Sequence, residues 1–197
     1  MARTLNLIPS AIIFLVSFIT LIGCTSDYET ELSSAASHTQ QGWQHYRLGD
    51  YTQALISFER AINTDPEYAD AHNGVGWSHL SLSLSIPLIQ EAFQNAIRYD
   101  SSNTDAWVGL ANVLYLRNKD SSDFNAAIRA IDNALQSDGQ EYLYRHDYQS
   151  EADLFAMKAA CYFYLGEIQK AKQEIDKALV IDEQNRTVNV LQNLLKE

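Results

Sequence analysis

Side chains with reactive chemistry are few in this 197-residue chain: two cysteines, Cys24 and Cys161, and five histidines. Cys161 stands beside Ala159, Ala160 and Tyr162, with no Lys, Arg or His next to it to lower its pKa, so it reads as a small buried helix residue and not as a nucleophile. Gly42-Trp43-Gln44-His45 recurs as Gly76-Trp77-Ser78-His79, which places two histidines in one register. Equivalent positions on neighbouring helices stand about 8–10 Å apart and do not converge on one ion, so no metal is expected at His45 and His79. His146-Asp147 is not read as a catalytic dyad, because adjacent helix residues point in different directions and spacing supplies no nucleophile. A phosphate-cradling glycine loop, a Gly-x-Ser-x-Gly elbow, a His-Glu-x-x-His pair and paired-cysteine metal motifs are all missing from the sequence. The expectation is a protein that is not an enzyme and carries no cofactor.

Composition narrows the remaining classes. The formal net charge is −11, from 14 Lys+Arg against 25 Asp+Glu, which opposes both phosphate neutralisation on nucleic acid and docking on anionic lipid. Only 8 Gly and 3 Pro are present, too few for the turns of a β-sandwich or barrel, so helices are expected. A hydrophobic content of 46% is enough for a core and excludes a disordered chain.

Cys24 belongs to a different chemistry. Arg3 precedes the apolar run from Ala11 to Gly23, the charged and hydrophobic regions of a secretory signal. Leu21-Ile22-Gly23-Cys24 resembles a bacterial lipobox, in which the cysteine is lipidated and becomes the new N-terminus. The competing reading is an uncleaved membrane helix over residues 5–23, interrupted by Asn6, Pro9, Ser10 and Ser17. The lipobox resemblance implies a signal peptide over residues 1–23, a polar tether over 24–34 and an anchor at Cys24 of several acyl chains, each adding about 0.8 kcal/mol per buried CH₂. Thr25, where lipoproteins retained at the inner membrane commonly carry Asp, implies the outer membrane, facing the periplasm. Loss of the signal removes Arg3 and leaves the remainder more acidic still, with Cys161 as its one ordinary thiol and no intramolecular disulfide.

The elements that carry these residues are set by a repeat near 34 residues. Phe58, Ala61, Ile62 and Asp65 recur as Phe93, Ala96, Ile97 and Asp100, then Ile131, Ala134, Leu135 and Asp138, then Ile175, Ala178, Leu179 and Asp182. Within each set the apolar and small residues stand three and four apart, the period of a helix. The first unit has Gly42 at a helix crossing, Leu48-Gly49-Asp50-Tyr51 as a turn, then Ala54, Phe58 and Ala61, and Asp65-Pro66 as an exit. Units of this kind resemble the tetratricopeptide repeat, which implies an all-α fold: a right-handed α-solenoid of about four helix-turn-helix units, over residues 35–68, 69–103, 104–141 and 152–185. Val188, Leu191, Leu194 and Leu195 form one apolar stripe, so residues 186–197 are expected to cap the array. Pro66 has no counterpart at the later exits, where Ser101, Gly139 and Glu183 stand.

In that family the first helix of each unit lines a concave face. Carried onto this chain, the resemblance implies a groove of Thr39, Trp43, Tyr46 and Arg47, then Asn73, Trp77 and Leu80, then Val108, Asn112, Tyr115 and Leu116, then Ala156, Phe163 and Tyr164. The lining would be aromatic and amide-rich with few charges, suited to an extended peptide or a partner helix and not to a carboxylate clamp. Packing between helices is the competing role for Trp43 and Trp77. The insertion between the third and fourth units holds Tyr142, Tyr144 and Tyr148. It offers either partner contacts or a helix end folded back over apolar surface. Acidic residues are expected on solvated helix faces. The function expected from these readings is a membrane-anchored scaffold for an unidentified protein partner in the bacterial envelope, with assembly of an envelope complex as its narrower form; the alternative is a small-molecule receptor for a transport system. No nucleic-acid partner is expected.

Overall fold

A computed structural model describes residues 26–196, so the signal, the lipobox and Cys24 lie outside the described residues. Four antiparallel helix pairs stack in chain order: α1 (Ser26–Arg47) with α2 (Tyr51–Thr64), α3 (Ala69–Ser81) with α4 (Ile86–Tyr99), α5 (Thr104–Arg117) with α6 (Ser121–Gln136), and α8 (Ala152–Tyr164) with α9 (Ile168–Ile181). A five-residue helix, α7 (Glu141–Arg145), interrupts the array, and α10 (Arg186–Leu194) closes it by burying Val188 and Leu191 against α8 and α9. The result is the expected all-helical solenoid. The stretch expected as a tether is described from Ser26 onward as the opening of α1.

Local sequence explains where each helix starts and stops. Asp50, Asn103, Asp120 and Asn185 each accept a hydrogen bond from a main-chain N–H in the first turn of the following helix, satisfying one of its orphan donors. Gly49 and Gly166 sit at φ +77° and +75°, so the two Leu-Gly-acid turns reverse the chain where other residues would be strained. The exits need no proline. Asp65, Asp100 and Asp182 each accept the N–H two residues on, from Glu67, Ser102 and Gln184 at 2.9–3.0 Å, and this side-chain turn closes the Pro-less exits as firmly as the first.

The core is a column of second-helix side chains. Phe58, Phe93, Ile131 and Ile175 are all buried, one per unit. Phe58 lies between Gly42 and Gly74, and Phe93 between Gly76 and Gly109: a Cβ on any of these glycines would come within 2.2–2.6 Å of a ring carbon. Cys161 is fully buried in α8, and burial pushes its thiol up to about 12, as an inert core residue requires.

Not all the acids face solvent, contrary to expectation. Asp105, Asp123 and Glu174 are buried, each beside a cation: Asp105 meets Arg145, Asp123 meets Arg117, and Glu174 lies 3.6 Å from Lys158 and 2.9 Å from Lys177. Charged groups leave water only when so paired.

Candidate interaction site on the concave face

The second residue of α3, α5 and α8 is an aspartate in each case: Asp70, Asp105 and Asp153. A first-turn acid is favoured by the helix dipole, but here each also receives a hydrogen bond from a neighbouring element. Trp43 Nε1 donates to Asp70 Oδ2 at 2.9 Å, Asn73 Nδ2 to Asp105 Oδ2 at 2.8 Å, and Asn185 Nδ2 to Asp153 Oδ1 at 2.8 Å. The units are thus laced one to the next, by two expected groove residues, Trp43 and Asn73, and by Asn185, which was not expected there.

Between α6 and α8 the chain folds back into this surface. The Arg145 guanidinium lies 4.2 Å over the Trp43 ring, and its Nη1 donates to Asp70 Oδ1 at 2.9 Å and to Asp105 Oδ2 at 3.2 Å. His146 stacks on Trp77 with ring centroids 3.4 Å apart and 18° between planes. Its Nε2 is 2.9 Å from Asp105 Oδ1, and its Nδ1 is 3.2 Å from the Tyr46 hydroxyl. Further along, the Tyr148 hydroxyl accepts a hydrogen bond from Asn112 Nδ2, while its ring meets Tyr142 edge-on. Tyr142 itself is buried, and the side chain of Tyr144 is outside the described residues.

Electrostatics follow from this packing. Burial alone would raise the Asp105 carboxyl. The His146 hydrogen bond, the His146 and Arg145 charges and the Asn73 amide outweigh it and hold the group below the usual carboxylate range. Burial pushes Tyr46 and Tyr142 up to about 12 and Tyr148 higher, so all three phenols are neutral donors or acceptors near pH 7. A carboxyl depressed in the folded state stabilises it above the unfolded carboxylate value, and that contribution disappears as pH falls through the depressed value. Acid titration followed by tryptophan fluorescence is therefore expected to show Trp43 and Trp77 emission change as Asp105 is protonated beside Arg145, His146 and Asp70. An Asp105→Asn chain should lack that step.

The residues expected in the groove divide into two sets. Trp43, Tyr46, Asn73, Trp77 and Asn112 lie together under residues 139–150, with Trp43 and Trp77 only 6% and 5% exposed. Tyr115, Phe163 and Tyr164 form a separate ring cluster with Phe124, whose ring stacks on Tyr164 at 5.3 Å. Tyr164 and Leu116 stay exposed there, and Arg47 is exposed at the end of α1. Nor is the lining poor in charge: Asp70, Asp105 and Arg145 belong to it. The missed signal was the shared register of Asp70, Asp105 and Asp153 as second residues of their helices.

Fold and site together define an α-solenoid with an aromatic and acidic concave surface. Residues 35–68 and 152–185 each match the family model for the tetratricopeptide repeat, and the helix pairs between them continue the same solenoid fold. Among solved structures, Pseudomonas aeruginosa pilF is similar at 19% identity and TM-score 0.64, over 81% of this chain and 66% of that one. MamA is similar at 18% identity and TM-score 0.61, over 77% of this chain and 74% of that one. PilW, described as a widely conserved type IV pilus biogenesis factor, is similar at 19% identity and TM-score 0.60, over 78% of this chain and 64% of that one. The chain thus spans slightly less than two thirds of the pilF and PilW chains. No curated protein matches the sequence significantly.

Proposed function

We propose that the protein is a lipid-anchored scaffold of the bacterial cell envelope, tethered through Cys24 to the outer membrane on its periplasmic side, and that it docks a segment of a partner protein on its concave face. The observation that carries the docking reading is that this face already holds a peptide, its own residues 139–150, through aromatic, amide and carboxylate side chains. The Leu21–Cys24 motif supports the anchor. An assembly role for an envelope complex fits a scaffold without catalytic groups, and PilW supplies an analogy of fold. A small-molecule receptor would need an enclosed concave cavity, and the resident segment fills that space.

Fractionation tests the anchor. Cys24→Ser is expected to move the protein out of the detergent-extracted membrane fraction, and a variant still lipidated and membrane-bound would defeat the lipobox reading. Purification of the wild-type chain from solubilised membrane separates the two functions. A stoichiometric protein partner supports the scaffold; a retained small ligand with no protein partner supports the receptor.

A further inference from the structure

Residues 145–150 are an occupant of the concave face, whereas Tyr142 just before them belongs to the core of the stack beneath. α6 packs directly on α8, so the superhelix is continuous without them. Among the described residues, Tyr142 and Leu143 tie the start of the inserted segment to the core, and the side chains of Arg145, His146 and Tyr148 tie the rest of it to α1, α3 and α5. The fit is also incomplete. Trp77 Nε1 and Asn73 Oδ1 are buried yet have no hydrogen-bond partner among the described residues, although the Trp77 ring lies directly against His146. Unpaired buried donors and acceptors are penalised, so a segment offering a carbonyl to Trp77 and an N–H to Asn73 would satisfy the surface better than the resident one does.

The resident side chains show what chemistry the surface selects. Two carboxylates, Asp70 and Asp105, converge on one guanidinium that also stacks on Trp43. A planar, forked cation meets both requirements, whereas an ammonium supplies a point charge without the stacking plane. Beside it, the Trp77 face takes the flat His146 ring, and Asn112 takes a hydroxyl acceptor.

We infer that the concave face is a receptor for an arginine-bearing segment of a partner protein, with a ring side chain next to the arginine, and that residues 145–150 are its built-in competitor. This rests on the scaffold reading above and names its partner's chemistry. Tethering gives the resident segment a high effective concentration, so an incoming segment binds only to the fraction of molecules in which the resident has lifted. Weakening the resident's ties therefore raises the apparent affinity for the incoming one.

The probe is a fluorescein-labelled peptide with the sequence of residues 140–149, measured by polarisation against the intact chain and against Arg145→Ala/His146→Ala. The double variant is expected to bind it at least about tenfold more tightly than the intact chain. Binding should be lost when the peptide carries Arg145→Ala, or when Asp70→Asn is added to the protein. A double variant that melts cooperatively but binds no better than the intact chain would overturn the inference. So would a double variant that no longer folds, since the segment would then be a core element. Hydrogen exchange on the intact chain gives an independent reading: amides of residues 145–150 are expected to exchange well before those of α5, and exchange together with α5 would overturn the inference. Concentration-dependent dimers that exchange this segment would replace the partner protein by a second copy and also overturn it. Failure on any of these counts leaves the scaffold reading standing if a stoichiometric partner still co-purifies with the membrane-anchored chain.

Discussion

An Asp105→Ala chain is expected to lose about 3 kcal/mol of stability, the lower end of the cost of removing one partner from a buried ion pair. For a chain of this length that corresponds to melting roughly 6–12 °C lower, read by circular dichroism at 222 nm. The number rests on what is left behind. Asp105 is 1% exposed and meets Arg145, His146 and Asn73 at once. Without it Arg145 keeps Asp70, but the Asn73 amide has only a 3.4 Å bond to Asp70 and His146 loses the carboxylate beside its Nε2. Asp105→Asn preserves the volume and an acceptor oxygen, so its smaller loss isolates the part due to charge. Equal losses for the two variants would mean that packing, and not the ion pairs, gives this position its weight.

The second large effect runs against helix propensity. Gly74→Ala and Gly109→Ala lie in helix interiors, where alanine alone is favoured by about 1 kcal/mol. Both are expected to destabilise instead, by about 2 kcal/mol net, because overpacking outweighs propensity. The new Cβ would stand 2.3 Å from Phe58 Cε1 and Cζ in the first case, and 2.2 Å from Phe93 Cε1 in the second. Neither ring has room to retreat, since the backbones at Gly42 and Gly76 pack so close that a Cβ there would itself stand 2.5 and 2.6 Å from the same rings. Combining Gly74→Ala with Phe58→Leu should cost less than the two single changes added together, the signature of a shared contact. Urea midpoints measure all three, and strict additivity would count against the glycine sandwich.

Much of the architecture was readable from local spacing. The 34-residue repeat, the helical placing of Ala54, Phe58 and Ala61, and the small residues Gly42 and Gly76 are properties of short stretches of chain, and the fold uses them as read. Gly74 and Gly109 were not singled out, because they press on a phenylalanine contributed by the preceding pair of helices and no single unit reveals that contact. The site was harder for the same reason. His146 looked inert beside Asp147, and its neighbours are Asp105, Trp77 and Tyr46, the last 100 residues away in sequence. Tyr142, Tyr144 and Tyr148 marked the insertion as unusual, but composition does not say which way an excursion folds. Asp70 and Asp105 lay in plain register, yet first-turn acids are so common on exposed helices that their inward aim was not evident.

A stack of helix pairs in contact only with its neighbours behaves mechanically as a spring, its pitch set by small rotations at each junction. Residues 139–150 place a strut across the inside of that coil. Arg145 and His146 bear on α1, α3 and α5 together, and Tyr148 adds a second footing on α5. The first three turns of the spring are thereby locked to one pitch. The far end, α8, α9 and α10, carries no such strut and is joined to the rest by the α6–α8 packing, the Tyr115–Tyr164 and Phe124–Tyr164 ring contacts and the Lys158–Asp132 pair at 2.5 Å. Lifting the strut is expected to return elasticity to the turns it spans.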